Sequence, residues 1–179
     1  NRLVVTDARN RKAHVLSTGD GGAKAVILDP ALSEGISAKN AEICILDALM
    51  SCVEGMISSR ANFFSDIVLE RAIVFLVRAF DIMHQRPDDP QARLDAYRGA
   101  FLAASGISTS SLGLGSAISF TINARFKVPK ANLSAVLLPY IMESATKLRI
   151  EVIAAMAPAF GVASEDGTAL SASDAATRT

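Results

Sequence analysis

Two long apolar helical patterns set end to end, closed by a proline-flanked break, constrain this chain more than any other feature. The first contains ILDALMSCVE (Ile45–Glu54); Ser37 can cap a helix that includes Ala41–Ser58. The second starts near Ser65 and reaches about His84. Ile67, Ala72, Val74, Phe75, Val77 and Ile82 are predicted to face inward there, leaving Glu70, Arg71, Arg78 and Asp81 to solvent. Pro87 and Pro90 in RPDDP stop it. A further helix is predicted over Gln91–Thr109. Small-residue helices follow at about Leu112–Ala124 and Ala131–Ser144, divided by RFKVP, then one over Lys147–Phe160 and the start of another at Ser171.

The first thirty residues read differently. Arg2–Thr6 and Lys12–Ser17 are short β-type runs separated by the turn-like DARNR, and Lys24–Leu28 is a third, placed after STGDGG and stopped by Asp29–Pro30. The expected fold class is mainly α: a short N-terminal β-hairpin and strand region leading into an all-helical domain, without internal repeats.

Charge removes several function classes. Of 179 residues, 18 are Lys or Arg and 18 are Asp or Glu, so no basic stripe argues for nucleic acid. The longest uncharged run, Gly99–Ala124, is too rich in Ser, Thr and Gly for a membrane span. Cys44 and Cys52, eight positions apart on one helix, cannot pair; free buried thiols in a reducing, cytoplasmic setting are expected. The chain opens on NRLVVTD without a Met, as a piece of something longer would.

Few residues invite chemistry. Asp47 is a carboxylate inside an apolar helical pattern, costly to bury without a cation or hydrogen-bond donors, and its neighbour four residues on is the neutral Ser51. LGLGS (Leu112–Ser116) is compatible with a phosphate loop or with close helix packing, and matches neither established phosphate-loop spacing. His14 and His84, the only histidines, read as solvated or structural; a cation suits the helix end at His84. No CxxC pair, HExxH or Ser-His-Asp set is evident.

Two segments carry a family likeness. LDALMSCVEGMISSRANFFSDIVLERAI resembles the signature helix of the iron-dependent alcohol dehydrogenases, and LGLGSAISFTINARFKVPKANLSAVLLPY resembles a second signature segment of that family, each without a gap. RLVVTDARNRKAHVLS and AVILDPAL resemble the strands that close the family's nucleotide-binding domain. The likeness runs from about Asn1 to Gly161. It implies that residues 1–30 are terminal strands of an otherwise absent α/β nucleotide-binding domain. Residues 31–179 would be the dehydroquinate-synthase-like helical domain, truncated near its C-terminal end.

That family holds a divalent iron, sometimes zinc, through one Asp and three His, and passes hydride between NAD(P) and an alcohol or aldehyde carbon. The resemblance places its Asp on Asp47. Its three metal-binding histidines fall on Ser51, Ser116 and Lys130, and a pocket histidine near the nicotinamide falls on Phe120. Cofactor-binding residues are expected upstream of Asn1. No bound metal is therefore expected, and NAD or NADP only if an upstream dinucleotide-binding domain exists.

Removing a dication would leave Asp47 as an unpaired buried charge. Lys130 either occupies the vacated cation site and pairs with Asp47, helped by hydrogen bonds from Ser51 and Ser116, or reaches solvent while Asp47 is neutral or caps something local. The function expected is a non-catalytic structural or assembly subunit with a degenerate metal site, in a homo-oligomer or larger assembly. The alternative is a metal-independent NAD(P)-dependent oxidoreductase in which Lys130 polarises the carbonyl.

Overall fold

The computed structural model describes residues 2–17, 19 and 23–161. The helix expected at Ser171 lies outside them. An antiparallel hairpin, β1 (Arg2–Asp7) and β2 (Lys12–Ser17), pairs Val4 with Val15. Asp7 accepts amide hydrogens from Arg9 and Asn10 and so shapes the turn, and these bonds hold its carboxyl below the ordinary value. Six helices follow among the described residues: α1 (Ala38–Ile57), α2 (Phe63–Gln85), α3 (Pro90–Thr109), α4 (Leu114–Phe126), α5 (Lys130–Leu148) and α6 (Ile150–Met156). A 3-10 turn over Pro30–Ser33 precedes α1 and another, Ala157–Phe160, follows α6.

Caps set the helix starts. Ser37 accepts from the Asn40 amide at the head of α1. α2 is closed by a reciprocal box between Asn62 and Ser65, so Asn62 is its cap and Ser65 its third residue. Asp89 caps α3, with Pro90 in the first turn where a missing N–H costs nothing. Lys24–Leu28 forms no strand. Among the described residues nothing pairs with it, and Val26 and Ile27 are exposed, so its β-type pattern has no ladder to join. Between α5 and α6 the break falls at Arg149 rather than at residues 145–146.

The core lies where α2 packs against α1 and α3. Its α2 side is Ser65, Leu69, Ala72, Leu76, Ala79 and Met83, a 4-3-4-3-4 spacing that keeps one face inward, with Ile73 buried beside Ala72. This differs from the predicted inner face. Ala72 is buried, but Val74, Phe75, Val77 and Ile82 are only half-buried and Ile67 is exposed, while Glu70, Arg71, Arg78 and Asp81 do face solvent. Nearly every uncharged α2 position is apolar, so pattern alone allowed several stripes. The one chosen is met by glycines. A β-carbon on Gly106 would lie 2.5 Å from Leu69 Cγ, on Gly55 2.7 Å from Leu69 Cδ1, and on Gly99 2.6 Å from Leu76 Cγ.

Helix approach therefore depends on those missing side chains. Gly106→Ala is expected to lower stability by about 2 kcal/mol through overpacking against the fully buried Leu69, read by urea denaturation. A variant as stable as the parent would show that Leu69 has another rotamer to use. No single described helix is long and apolar enough to cross a membrane, and α3 and α4, which share the long uncharged run, are bent by 107° at their junction.

Candidate functional site

Asp47 lies in the middle of α1, and the cation it lacks locally comes from the first residue of α5. Lys130 Nζ donates to Asp47 Oδ1 at 2.5 Å, with the two side chains 20% and 25% exposed. The loop before α5 fixes that delivery. Lys127 ends α4 in the left-handed region (φ 58°), Asn123 Nδ2 donates to the Val128 carbonyl at 2.8 Å, and Pro129 starts the next helix. Lys130 Nζ also sits 5.1 Å from the centroid of the half-buried Phe120 ring, within cation–π range.

The serines do something other than expected. Ser51 Oγ donates back to the Asp47 carbonyl at 3.0 Å, a bond to the helix backbone and not to the carboxylate. Ser116 is buried on α4, and its hydroxyl has no partner among the described residues. Its amide is what bonds, donating to Glu54 Oε1 at 3.0 Å. Neither hydroxyl assists the ion pair: Ser51 Oγ bonds to its own helix, and Ser116 Oγ has no partner among the described residues.

Glu54 is the residue the sequence reading passed over. It is 1% exposed and meets the N-terminal end of α4, where Gly113 supplies no side-chain cap. Unsatisfied amides and the helix dipole favour a carboxylate there. β-carbons on Gly113 and Gly115 would lie 3.0 and 3.1 Å from Glu54 Oε1, so LGLGS is glycine-rich in order to admit this carboxylate, and a phosphate has no room at the same amides. The signal was available: Glu54 follows Asp47 by seven residues, which returns it to nearly the same face of α1. Glu54→Ala is expected to lower stability by about 2 kcal/mol by stranding the Ser116 amide, measured by thermal unfolding. Glu54→Gln keeps an acceptor and should lose less; equal losses would make the effect one of packing.

Other candidates fall away from this site. His14 is exposed on β2; His84 is exposed in the last turn of α2, 3.2 Å from Glu42 and stacked on Phe80. Both cysteines are free, but only Cys52 is buried, and burial pushes its thiol far up. Cys44 is exposed, its thiol raised by partial desolvation and then by Asp47. Its position one turn before Asp47 puts it at the edge of the inward face.

The four positions compared with a metal site thus hold one carboxylate, two hydroxyls and an ammonium. Neutral hydroxyls bind iron or zinc poorly, and an ammonium has donors but no lone pair to offer. This donor set does not fit a divalent ion. Among the described residues no three His, Cys, Asp or Glu side chains converge elsewhere.

Residues 43–178 match the model for the Fe-containing alcohol dehydrogenase family, C-terminal. A maleylacetate reductase of Pseudomonas aeruginosa is 31% identical over 119 residues, 66% of this chain and 34% of that protein. Long-chain-alcohol dehydrogenase 1 of Geobacillus thermodenitrificans is 28% identical over 138 residues, 75% of this chain and 35% of that one. A crystal structure of a 1,3-propanediol oxidoreductase superposes with a TM-score of 0.92 at 24% identity, covering 99% of this chain and 46% of that one. The chain spans about a third of the length of these two curated relatives.

Proposed function

This chain belongs to the Fe-containing alcohol dehydrogenase family, as part of its C-terminal helical domain, and from that premise we propose that it has exchanged the family's metal for an internal ion pair and serves as a non-catalytic structural or assembly subunit. The observation that carries this reading is Lys130 Nζ on Asp47 Oδ1. A cation of the chain's own lies where the resemblance puts a metal ligand, against the one carboxylate that survives. The positive charge that a three-quarters-buried Asp47 requires is then supplied by covalent structure and needs no uptake. Phe120 supports the same reading, since it sets an apolar ring where a pocket histidine would face the reacting carbon.

Metal analysis of the purified full-length protein tests the exchange. Iron and zinc far below one per chain are expected after loading and desalting; stoichiometric metal that depends on Asp47 would overturn it.

One observation favours a second reading. The Lys130 side chain is 20% exposed, so its ammonium is within reach of a solute and could polarise an aldehyde or ketone oxygen in a metal-independent NAD(P)-dependent oxidoreductase. The dinucleotide site would then lie in a part of the protein outside this chain. A fluorescence titration of the full-length protein with NADH and NADPH separates the two. Failure to bind either excludes the oxidoreductase. Binding followed by carbonyl reduction that Lys130→Met abolishes excludes the non-catalytic subunit.

A further inference from the structure

On the outer side of the α2–α3 pair, three arginines converge on one ring and one carboxylate. Arg71, Phe75 and Arg78 follow one another four and then three residues apart on α2, and Gln91, Asp95 and Arg98 do the same on α3, so each set shares a helix face. The Arg71 Cζ lies 4.5 Å from the Phe75 ring centroid, and the Arg98 Cζ lies 6.0 Å from the same centroid. Arg98 Nη1 donates to Asp95 Oδ1 at 3.4 Å, and Arg78 Nε stands 3.5 Å from Asp95 Oδ2. Contacts therefore run unbroken from Arg71 through Phe75, Arg98 and Asp95 to Arg78.

The charges in this cluster do not balance. Asp95 is buried, is held from the side by Gln91 Nε2 at 2.9 Å, and is the only carboxylate the three arginines meet among the described residues. Glu70 and Asp81, the other acids on this stretch of α2, pair with none of them there. Arg71 has no ion pair and Arg78 no hydrogen bond among the described residues. A guanidinium does not escape repulsion by losing its proton, so two positive charges stand uncompensated, and an added anion relieves them. The Arg78 and Arg98 side chains are 62% and 46% exposed, which leaves their unused N–H donors open to a solute.

We propose that this cluster binds a small ligand carrying two linked phosphoryl groups, one between Arg71 and Arg98 and the other between Arg98 and Arg78. Guanidinium forks match phosphate oxygens in pairs, and the ring and the buried carboxylate fix where the forks stand. The arginines are joined at two points, at Phe75 and at Asp95, so they offer two anion positions and suit a diphosphate better than a single phosphate. Free diphosphate and a nucleoside diphosphate carry the same chemistry. The site owes nothing to the Asp47–Lys130 pair.

Calorimetric titration of the full-length protein with inorganic pyrophosphate, orthophosphate and ADP, at fixed ionic strength and without divalent metal, tests the assignment. Saturable pyrophosphate binding at least tenfold tighter than that of orthophosphate is expected. Arg71→Met should weaken it at least tenfold, while Arg125→Met, the same charge change at an exposed position on α4, should leave it unchanged. No pyrophosphate binding, equal affinity for orthophosphate, undiminished binding to Arg71→Met, or an equal loss in Arg125→Met would each overturn the proposal. ADP binding that falls with Arg71→Met assigns a nucleoside diphosphate, and ADP binding that this variant leaves alone assigns free diphosphate. If Arg71→Met does not fold, Arg98→Lys decides: it keeps the charge and gives up the fork, so pyrophosphate should bind severalfold more weakly, and parent-like affinity would overturn the proposal.

Discussion

Lys130→Met is expected to lower stability by about 3 kcal/mol, because it removes the only cation that Asp47 has among the described residues and leaves a three-quarters-buried carboxylate unpaired. Methionine keeps the length and apolar stem of lysine, so packing on Phe120 changes little and the loss reads the charge. The partial exposure of both groups places the effect at the lower end of the range for buried pairs, since water takes up part of the stranded charge. A double-mutant cycle makes the test specific. Asp47→Asn combined with Lys130→Met should recover more than half of the loss, as neither charge is then left alone. Denaturant unfolding of the four proteins measures this. A parent-like midpoint for Lys130→Met would mean that the contact is a surface pair with no structural weight.

The pair also shows how far the sequence could be read. Asp47 was conspicuous from the apolar positions around it, but nothing in spacing pointed 83 residues ahead to Lys130. Only the family likeness connected them, and the structure joins them through the loop that Asn123 and Pro129 hold. The serines were misjudged because a hydroxyl in a helix has a bonding partner four residues back at no cost, and Ser51 takes it. Glu54 was missed for a related reason. Its acceptor role is defined by the end of another helix, 62 residues away, which a one-helix pattern cannot display.

Secondary structure was legible wherever a cap or a break was local. Ser37, the RPDDP break and the β1–β2 hairpin all depend on residues within a few positions of one another. Lys24–Leu28 failed because a strand is a property of a sheet, and its pattern needs a neighbour that the described residues lack. The inner face of α2 failed because its choice lies with Gly55, Gly99 and Gly106 on other helices. Ser51 apart, whose acceptor is four residues back, what the sequence hid depends on a partner distant in the chain.

The ion pair makes a stronger demand when it is undone. In the triple variant Ser51→His, Ser116→His, Lys130→His, one Zn²⁺ per chain is expected to bind, with a rise in melting temperature that EDTA reverses; the parent should show neither. The expectation rests on the contacts that link these positions. Asp47 and Ser51 are one turn apart on α1, and Ser116 and Phe120 are one turn apart on α4. Lys130 touches Asp47 and Phe120, while Glu54, three residues past Ser51, holds the Ser116 amide. The four positions are expected to surround one point; three imidazoles with a carboxylate are a donor set zinc accepts. At zinc a hundredfold above Kd the gain is about 2.7 kcal/mol, roughly 5–10 °C for a domain of this size. Adding Asp47→Asn should abolish the gain. A folded triple variant that binds no zinc, or binds it regardless of Asp47, would mean that the positions do not converge and that Lys130 never took the place of a metal.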